Sequence, residues 1–450
     1  MKILFIANGF PPHRWAGTET YTAGIAKAFH ERGHLVHVLC AGRWEVGERY
    51  WNGWDDDCLD GIQVRRLNLN WKKAPDPFRY LYDNPVVGQH LQRYLEQLRP
   101  DLVHVTSCET MSASVLRTTK EAGIPLVLSL TDFWFLCPRI TLLHSDGSLC
   151  DGRTTAWECL RCQLFNTKAY RWPRRVLPER LVSALLMKSS RYAGLTRQRG
   201  LRGMAGDMAD RKAFLRQAIG WPDLRITASS FVRNVYAANG VSAPITVHAY
   251  GHDLSWLRGH AGKTPSQTVR IGFIGQITKA KGLHLLLQAY RSLQDSFRGK
   301  LSLFIYGNMR SDDAYCDGLA ALAATMDGVE FRGTYLHEQS AAVFADLDVL
   351  VVPSMWYDFP LIIHEAFATK TPVVATNLGS VAENVAHEVN GLLFERGDVA
   401  DLARQLRRIV AEPGLTERLA AEIPPVKTIE QETDELAAIY DLIVRERPRH

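Results

Sequence analysis

Short apolar runs separated by stretches of helical period occur in two series along the chain, and this recurrence restricts its possible folds more than any other feature. Residues 3–7, 36–40, 102–105 and 126–130 are rich in Ile, Val, Leu and Phe with little polar alternation, as expected of strands buried on both faces. Segments 20–32 and 85–99 have the helical repeat that fits between them. Parallel neighbours need a crossover of about a dozen residues or more, usually a helix, so the alternation predicts a doubly wound α/β domain. The rhythm restarts with runs at 270–273, 301–306, 329–331, 349–352, 373–375 and 392–394. Between the series, 250–268 is rich in Gly, Pro and polar residues and reads as a linker. The expectation is two Rossmann-like domains, 1–250 and 251–427, facing across a cleft, with a last helix in 428–450 crossing back onto the first.

Composition excludes several classes. At 46% hydrophobic and 22% charged residues, the chain is neither disordered nor collagen-like. No apolar run approaches the eighteen or so residues of a membrane span. The opening apolar run ends at Asn8-Gly9, too soon for a signal peptide, so a cytoplasmic protein with reduced thiols is expected. A net charge of +5 does not argue for nucleic acid. Segment 168–202, however, carries ten Lys or Arg against the single acid Glu179. Interleaved with Trp172, Leu181 and Leu185, these residues read either as peripheral contact with the inner membrane face or as a solvated helix face. Asp55, Asp56 and Asp57 read as a solvated acidic loop, and Trp44, Trp51 and Trp54 fall in the same loop region.

Neither series opens with G-x-G-x-x-G: the first turn is Asn8-Gly9-Phe10-Pro11-Pro12 and the second Gly272-Phe273-Ile274-Gly275-Gln276. A nicotinamide dehydrogenase is thereby disfavoured. The second turn instead continues to Lys279 and Lys281 ahead of a helix beginning near Gly282, an arrangement suited to phosphate oxygens. Further on, WYDFPLIIHEAFATKTPVV places Pro360 in the first turn of a helix and the carboxylate of Glu365 beyond it. A carboxylate so placed can bind the vicinal hydroxyls of a ribose while amides and lysine hold an attached diphosphate; the alternative is a surface glutamate. Cys137, Cys150, Cys159 and Cys162 lie in a polar insert, 137–162, that ends in Cys-x-x-Cys. That spacing suggests a structural zinc site, with an iron–sulfur cluster or plain thiols as alternatives.

Taken in order, the motifs resemble those of the family 4 glycosyltransferases, retaining enzymes of the GT-B fold that use nucleotide-diphosphate sugars. The matching residues are Pro11-Pro12, Ala16-Gly17-Thr18-Glu19, Glu31-Arg32-Gly33-His34, Pro100 to Val105, Ala228 to Phe231, Tyr250-Gly251-His252-Asp253, Gly275 through Lys281-Gly282, and the block from Glu365 to Asn390-Gly391. The resemblance implies that Glu365, the second Glu of the family's Glu-x7-Glu, binds the donor ribose. It implies that Gly17 approaches the diphosphate through its backbone and that Lys281 neutralises the leaving diphosphate without a catalytic metal. Gly275, Gln276, Lys279, Asp358, Phe359 and Leu361 would complete the donor site, with Asp132 at the reaction centre. Apart from the resemblance, His13 and His104 read either as lining the acceptor side or as satisfied structural residues, and Trp15 either as stacking on an acceptor sugar or as capping the loop. Three positions depart from the pattern: Tyr357 replaces the first Glu, Gln276 an Arg, and Thr131 a His. The activity implied is transfer, by front-face displacement, to a saccharide or lipid-linked acceptor in polysaccharide or glycoconjugate biosynthesis. The competing readings are a sugar-nucleotide epimerase or phosphorylase of the same fold, and a non-catalytic zinc-bearing scaffold at a membrane.

Overall fold

The computed structural model describes residues 1–14, 16–165, 172–189, 204–259, 262–310, 313–357 and 359–446. Trp15, Asp358, 168–171 and 190–202 therefore lie outside the described residues. The chain divides into two units, Met1–Tyr250 with Ile429–His450, and Gly251–Thr428.

The first unit is built on eight strands: β1 (Lys2–Ala7), β2 (Leu35–Trp44), β3 (Trp51–Leu59), β4 (Ile62–Leu69), β5 (Leu102–Val105), β6 (Leu126–Ser129), β7 (Leu224–Thr227) and β8 (Thr246–Val247). They lie in the order β3-β4-β2-β1-β5-β6-β7-β8. All neighbours are parallel except β3 and β4. Ile3, Leu4, Phe5 and Ile6 of β1 are fully buried on both faces, which explains the unbroken apolar run. Helix Gly17–Glu31 packs against the C-terminal helix Ile429–Glu446. Phe29 stacks on Tyr440 at 5.2 Å, and the Tyr21 hydroxyl donates to Glu432 Oε1 at 2.8 Å.

Two expectations for this unit are corrected. Asp55, Asp56 and Asp57 are not a solvated loop: with Trp51 and Trp54 they form the edge strand β3, and each meets an arginine. Arg43 lies 3.7 Å from Asp55, Arg65 makes two 2.7 Å hydrogen bonds to Asp56, and Arg66 Nε donates to Asp57 at 2.9 Å. Arg66 spends its remaining donors on the carbonyls of Phe10 and Pro11, so the Asp57–Arg66 pair holds the loop after β1. A half-exposed edge strand of W-N-G-W-D-D-D composition has little strand propensity, and cross-strand pairing supplies what propensity lacks. His104, expected on the acceptor side, is instead wholly buried in β5, its ring nitrogens engaged by the Tyr440 hydroxyl at 2.5 Å and Ser129 Oγ at 2.8 Å. Burial pushes its pKa down to about 3, so it packs as a neutral ring.

The second unit holds β9 (Val269–Ile274), β10 (Leu301–Tyr306), β11 (Val329–Gly333), β12 (Val349–Val352), β13 (Val373–Thr376) and β14 (Gly391–Phe394). The order is β11-β10-β9-β12-β13-β14, every pair parallel. The direction of winding reverses between β9 and β12, the point where open α/β sheets bind ligands.

Within the basic segment, the described part contains helix Glu179–Ser189. No described helix is long and apolar enough to cross a membrane.

Tyr440 links the C-terminal helix to β5, so Tyr440→Ala should destabilise the first unit by about 3–5 kcal/mol, the usual cost of truncating a buried aromatic. Urea unfolding followed separately for the two units should show the first transition move and the second stay.

Candidate functional site

In the second unit the loops after β9 and β12 are fitted together by backbone contacts. Gly282 adopts φ +75°, and a Cβ there would lie 1.9 Å from the Pro353 carbonyl oxygen, so only glycine permits this approach. The Met355 N–H donates to the Ala280 carbonyl at 2.8 Å, and Arg396 Nε caps the Met355 carbonyl at 2.8 Å. Lys281 is thereby held with its ammonium 5.9 Å from the centre of the Trp356 ring. After Trp356 the chain enters the short helix Ile362–Ala368, which carries Glu365 in its first turn.

The loops after β9, β10 and β11 enclose a cavity of about 550 Å³ lined by Gly275, Gln276, Asn308, Arg310, Thr334 and Tyr335 among others. Its size suits a nucleotide-sized ligand. A side chain at Gly307 would come within 2.2 Å of the Gly275 carbonyl, so this wall too is backbone against backbone. Glu365 lies close enough to Tyr335 to help raise the phenol's pKa. Burial pushes the Glu365 carboxyl above the usual carboxylate range, opposed by His337. Phe359 stacks on His364 at 5.6 Å, and His364 on His252 at 4.2 Å.

Of the expected donor residues, Gly275 and Gln276 line the cavity, Lys279 and Lys281 occupy the loop that continues from it, and Phe359, Leu361 and Glu365 follow β12. Arg310, Thr334 and Tyr335 were missed: they lie in the loops after β10 and β11, where nothing in the local sequence sets them apart.

In the first unit Gly17 is exposed at the start of its helix and His13 is exposed in the preceding turn. Glu19 is 1% exposed and faces Arg14 Nε at 3.1 Å. Asp132 follows β6 and accepts the Trp134 N–H at 2.8 Å. Burial, helped by Glu109, another acid missed in the sequence, pushes its pKa up to about 7 against the opposing Trp134 N–H and Arg211.

The four cysteines of the insert line one small cavity, but neither they nor any other three His, Cys, Asp or Glu among the described residues stand close enough to hold a metal ion. Burial pushes Cys150 up to about 11, keeping it a thiol. Other contacts hold the loop: a bridge between Leu143 and Leu149, Asn239 on the Asp151 carbonyl at 2.9 Å, and buried Arg211 on the Trp134 carbonyl.

The fold is that of the GT-B glycosyltransferases. It matches sucrose-phosphate synthase from Thermosynechococcus elongatus with a TM-score of 0.66, covering 99% of this chain and 100% of that one at 16% identity. It matches HepE of Anabaena, in complex with UDP and glucose, with a TM-score of 0.61 over 98% and 99% of the two chains at 17% identity. Residues 16–251 match the family described as glycosyl transferase 4-like domain, and residues 268–412 that of glycosyl transferases group 1; the chain belongs to this glycosyltransferase family. It is 34% identical over 178 residues to D-inositol 3-phosphate glycosyltransferase of Rhodococcus jostii, 38% of this chain and 39% of that protein. It is 33% identical over 144 residues to 2-deoxystreptamine glucosyltransferase of Streptomyces kanamyceticus, 32% of this chain and 36% of that protein. The chain thus spans about two fifths of the length of the curated relatives it matches.

Asp132 has a folded pKa of about 7 against an unfolded value near 3.8, so the folded protein holds a proton that the unfolded chain releases. This contribution to stability is full below the unfolded pKa and is lost as pH rises through 7. Asp132→Asn, neutral throughout, should melt at a higher temperature than the wild type at pH 8, with the gain vanishing near pH 4. Melting curves at both pH values check this.

Proposed function

We propose that the protein transfers a sugar from a nucleotide-diphosphate sugar to a hydroxyl of a saccharide or lipid-linked acceptor, with retention of anomeric configuration, in polysaccharide or glycoconjugate biosynthesis. The observation that carries this reading is the junction of the Gly275–Lys281 loop with the loop leading to Glu365, beside a cavity of about 550 Å³. The site then divides its work by chemistry. Glu365 accepts hydrogen bonds from the ribose hydroxyls. Backbone amides near Gly275, Gln276, Phe359 and Leu361 receive the diphosphate, and Lys281, with Lys279 nearby, offsets the charge that grows on it as the glycosidic bond breaks. As the acceptor oxygen bonds to the anomeric carbon, the bonding pair leaves with the diphosphate, and the departing phosphate takes the hydroxyl proton. Among the neighbours in fold, HepE is described with UDP and glucose, and Arabidopsis starch synthase IV with ADP and acarbose. Both nucleotides belong in the first test.

Thermal-shift measurements with UDP, ADP, GDP and TDP should show stabilisation by one nucleotide in preference to the others, since a ligand bound only by the folded state raises apparent stability. Glu365→Ala should weaken that nucleotide by about 2–3 kcal/mol, the scale of a hydrogen bond to a charged group. Unchanged affinity in the variant would remove Glu365 from the ribose. Lys281→Ala should lower kcat more than it raises KM, because its charge is needed most as the bond breaks.

Peripheral contact with a membrane belongs to the same proposal. In the described part of the basic segment, Trp172, Val176, Leu181 and Leu185 are exposed, with Arg175, Arg180 and Lys188 among them. Sedimentation with vesicles containing phosphatidylserine, but not with neutral vesicles, is expected, and Leu181→Glu with Leu185→Glu should abolish it.

A further inference from the structure

A second group of residues gathers at the carboxyl end of the first unit's sheet. Asn8 follows β1, Glu109 follows β5 and Asp132 follows β6, three strands that lie side by side. Asn8 is only 5% exposed; its Nδ2 donates to Glu109 Oε2 at 3.2 Å, while its Oδ1 is buried and meets no hydrogen-bond donor among the described residues. A buried amide oxygen left unmet costs about 1–3 kcal/mol, so an incoming donor would relieve that cost. The Asn8 carbonyl is taken by the Thr110 hydroxyl at 3.2 Å and by Arg14 at 3.5 Å.

The turn that delivers Glu109 is strained. Thr110 and Ser112 lie at φ 63° and 62°, a region that costs a non-glycine residue about 1–2 kcal/mol. It is closed by the Ser112 N–H on the Cys108 carbonyl at 2.7 Å. The cations nearby already have partners: Arg14 faces Glu19, and Arg211 binds the Trp134 carbonyl. This edge therefore gathers acceptors: the half-buried carboxyl groups of Glu109 and Asp132, the latter largely ionised above pH 7, with Asn8 Oδ1 buried beside Glu109.

Such a surface is complemented by hydrogen-bond donors, hydroxyls or an ammonium group, and opposed by a phosphate monoester, which brings only acceptors and negative charge. The geometry points to Asn8, Glu109 and Asp132 as an acceptor subsite for an unphosphorylated polyol or amino sugar, with Asn8 and Glu109 selecting against phosphorylated acceptors. This rests on the reading of the protein as a transferase with a saccharide acceptor.

Calorimetric titration of the full chain at pH 7.5 with glucosamine, myo-inositol and glucosamine 6-phosphate tests it. Glucosamine should bind at least tenfold more tightly than its 6-phosphate. Glu109→Gln should weaken glucosamine at least tenfold and narrow the difference, while Glu109→Asp should restore part of it. Nucleotide stabilisation should persist in both variants, which establishes that they are folded. The subsite is wrong if the 6-phosphate binds as well as glucosamine, if Glu109→Gln changes nothing, or if none of the three sugars binds. Loss of nucleotide stabilisation in the wild type would instead overturn the donor reading.

Discussion

Because β9 pairs in parallel with β10 on one side and β12 on the other, these strands all deliver the chain to the same edge of the sheet, where their loops must share the space. The glycines follow from this crowding: Gly307 lets one loop lie on the Gly275 carbonyl, and Gly282 lets another lie on Pro353. Side chains at those positions would force the loops apart. With the backbones in contact, Lys281 and the helix bearing Glu365 are placed largely by main-chain geometry, as the precise holding of a ligand favours. The same rule brings Asn8, Glu109 and Asp132 together in the first unit.

Charge is handled in two ways in that unit. Asp56 and Asp57 are answered by Arg65 and Arg66 at hydrogen-bonding distance, and the second of these pairs secures the loop after β1. Asp132 and Glu109 are half-buried without full compensation, and desolvation raises the pKa of both. Paired charges build the frame, whereas under-paired ones keep the capacity to bind or exchange a proton. The polar insert shows a third course, in which buried thiols and a buried arginine hydrogen-bonded to a carbonyl hold a loop with little apolar material.

Most of the fold was legible. Buried parallel strands such as 301–306 and 349–352 announce themselves because both faces must be apolar, and β10 and β12 span those same residues. β3 was not legible, since its stability comes from arginines on β4 that are neighbours only once the hairpin has formed. Lys281 and Glu365 could be singled out as candidates from their position near a helix start. Glu109, Arg310 and Tyr335 could not, because nothing local distinguishes them from ordinary loop residues.

The sequence by itself determined the doubly wound architecture, the restart near residue 269 and the phosphate-suited loop, since these follow from periodicity and from short-range backbone chemistry. Only the tertiary structure decided which ionisable groups are neutralised and which remain under-paired. It buried His104 against Tyr440, bound Asp57 to Arg66, left Asn8 Oδ1 without a donor among the described residues, and gathered the four cysteines around one small cavity. Hydrogen bonding and burial at each of these sites depend on residues tens to hundreds of positions away, and no local pattern encodes them.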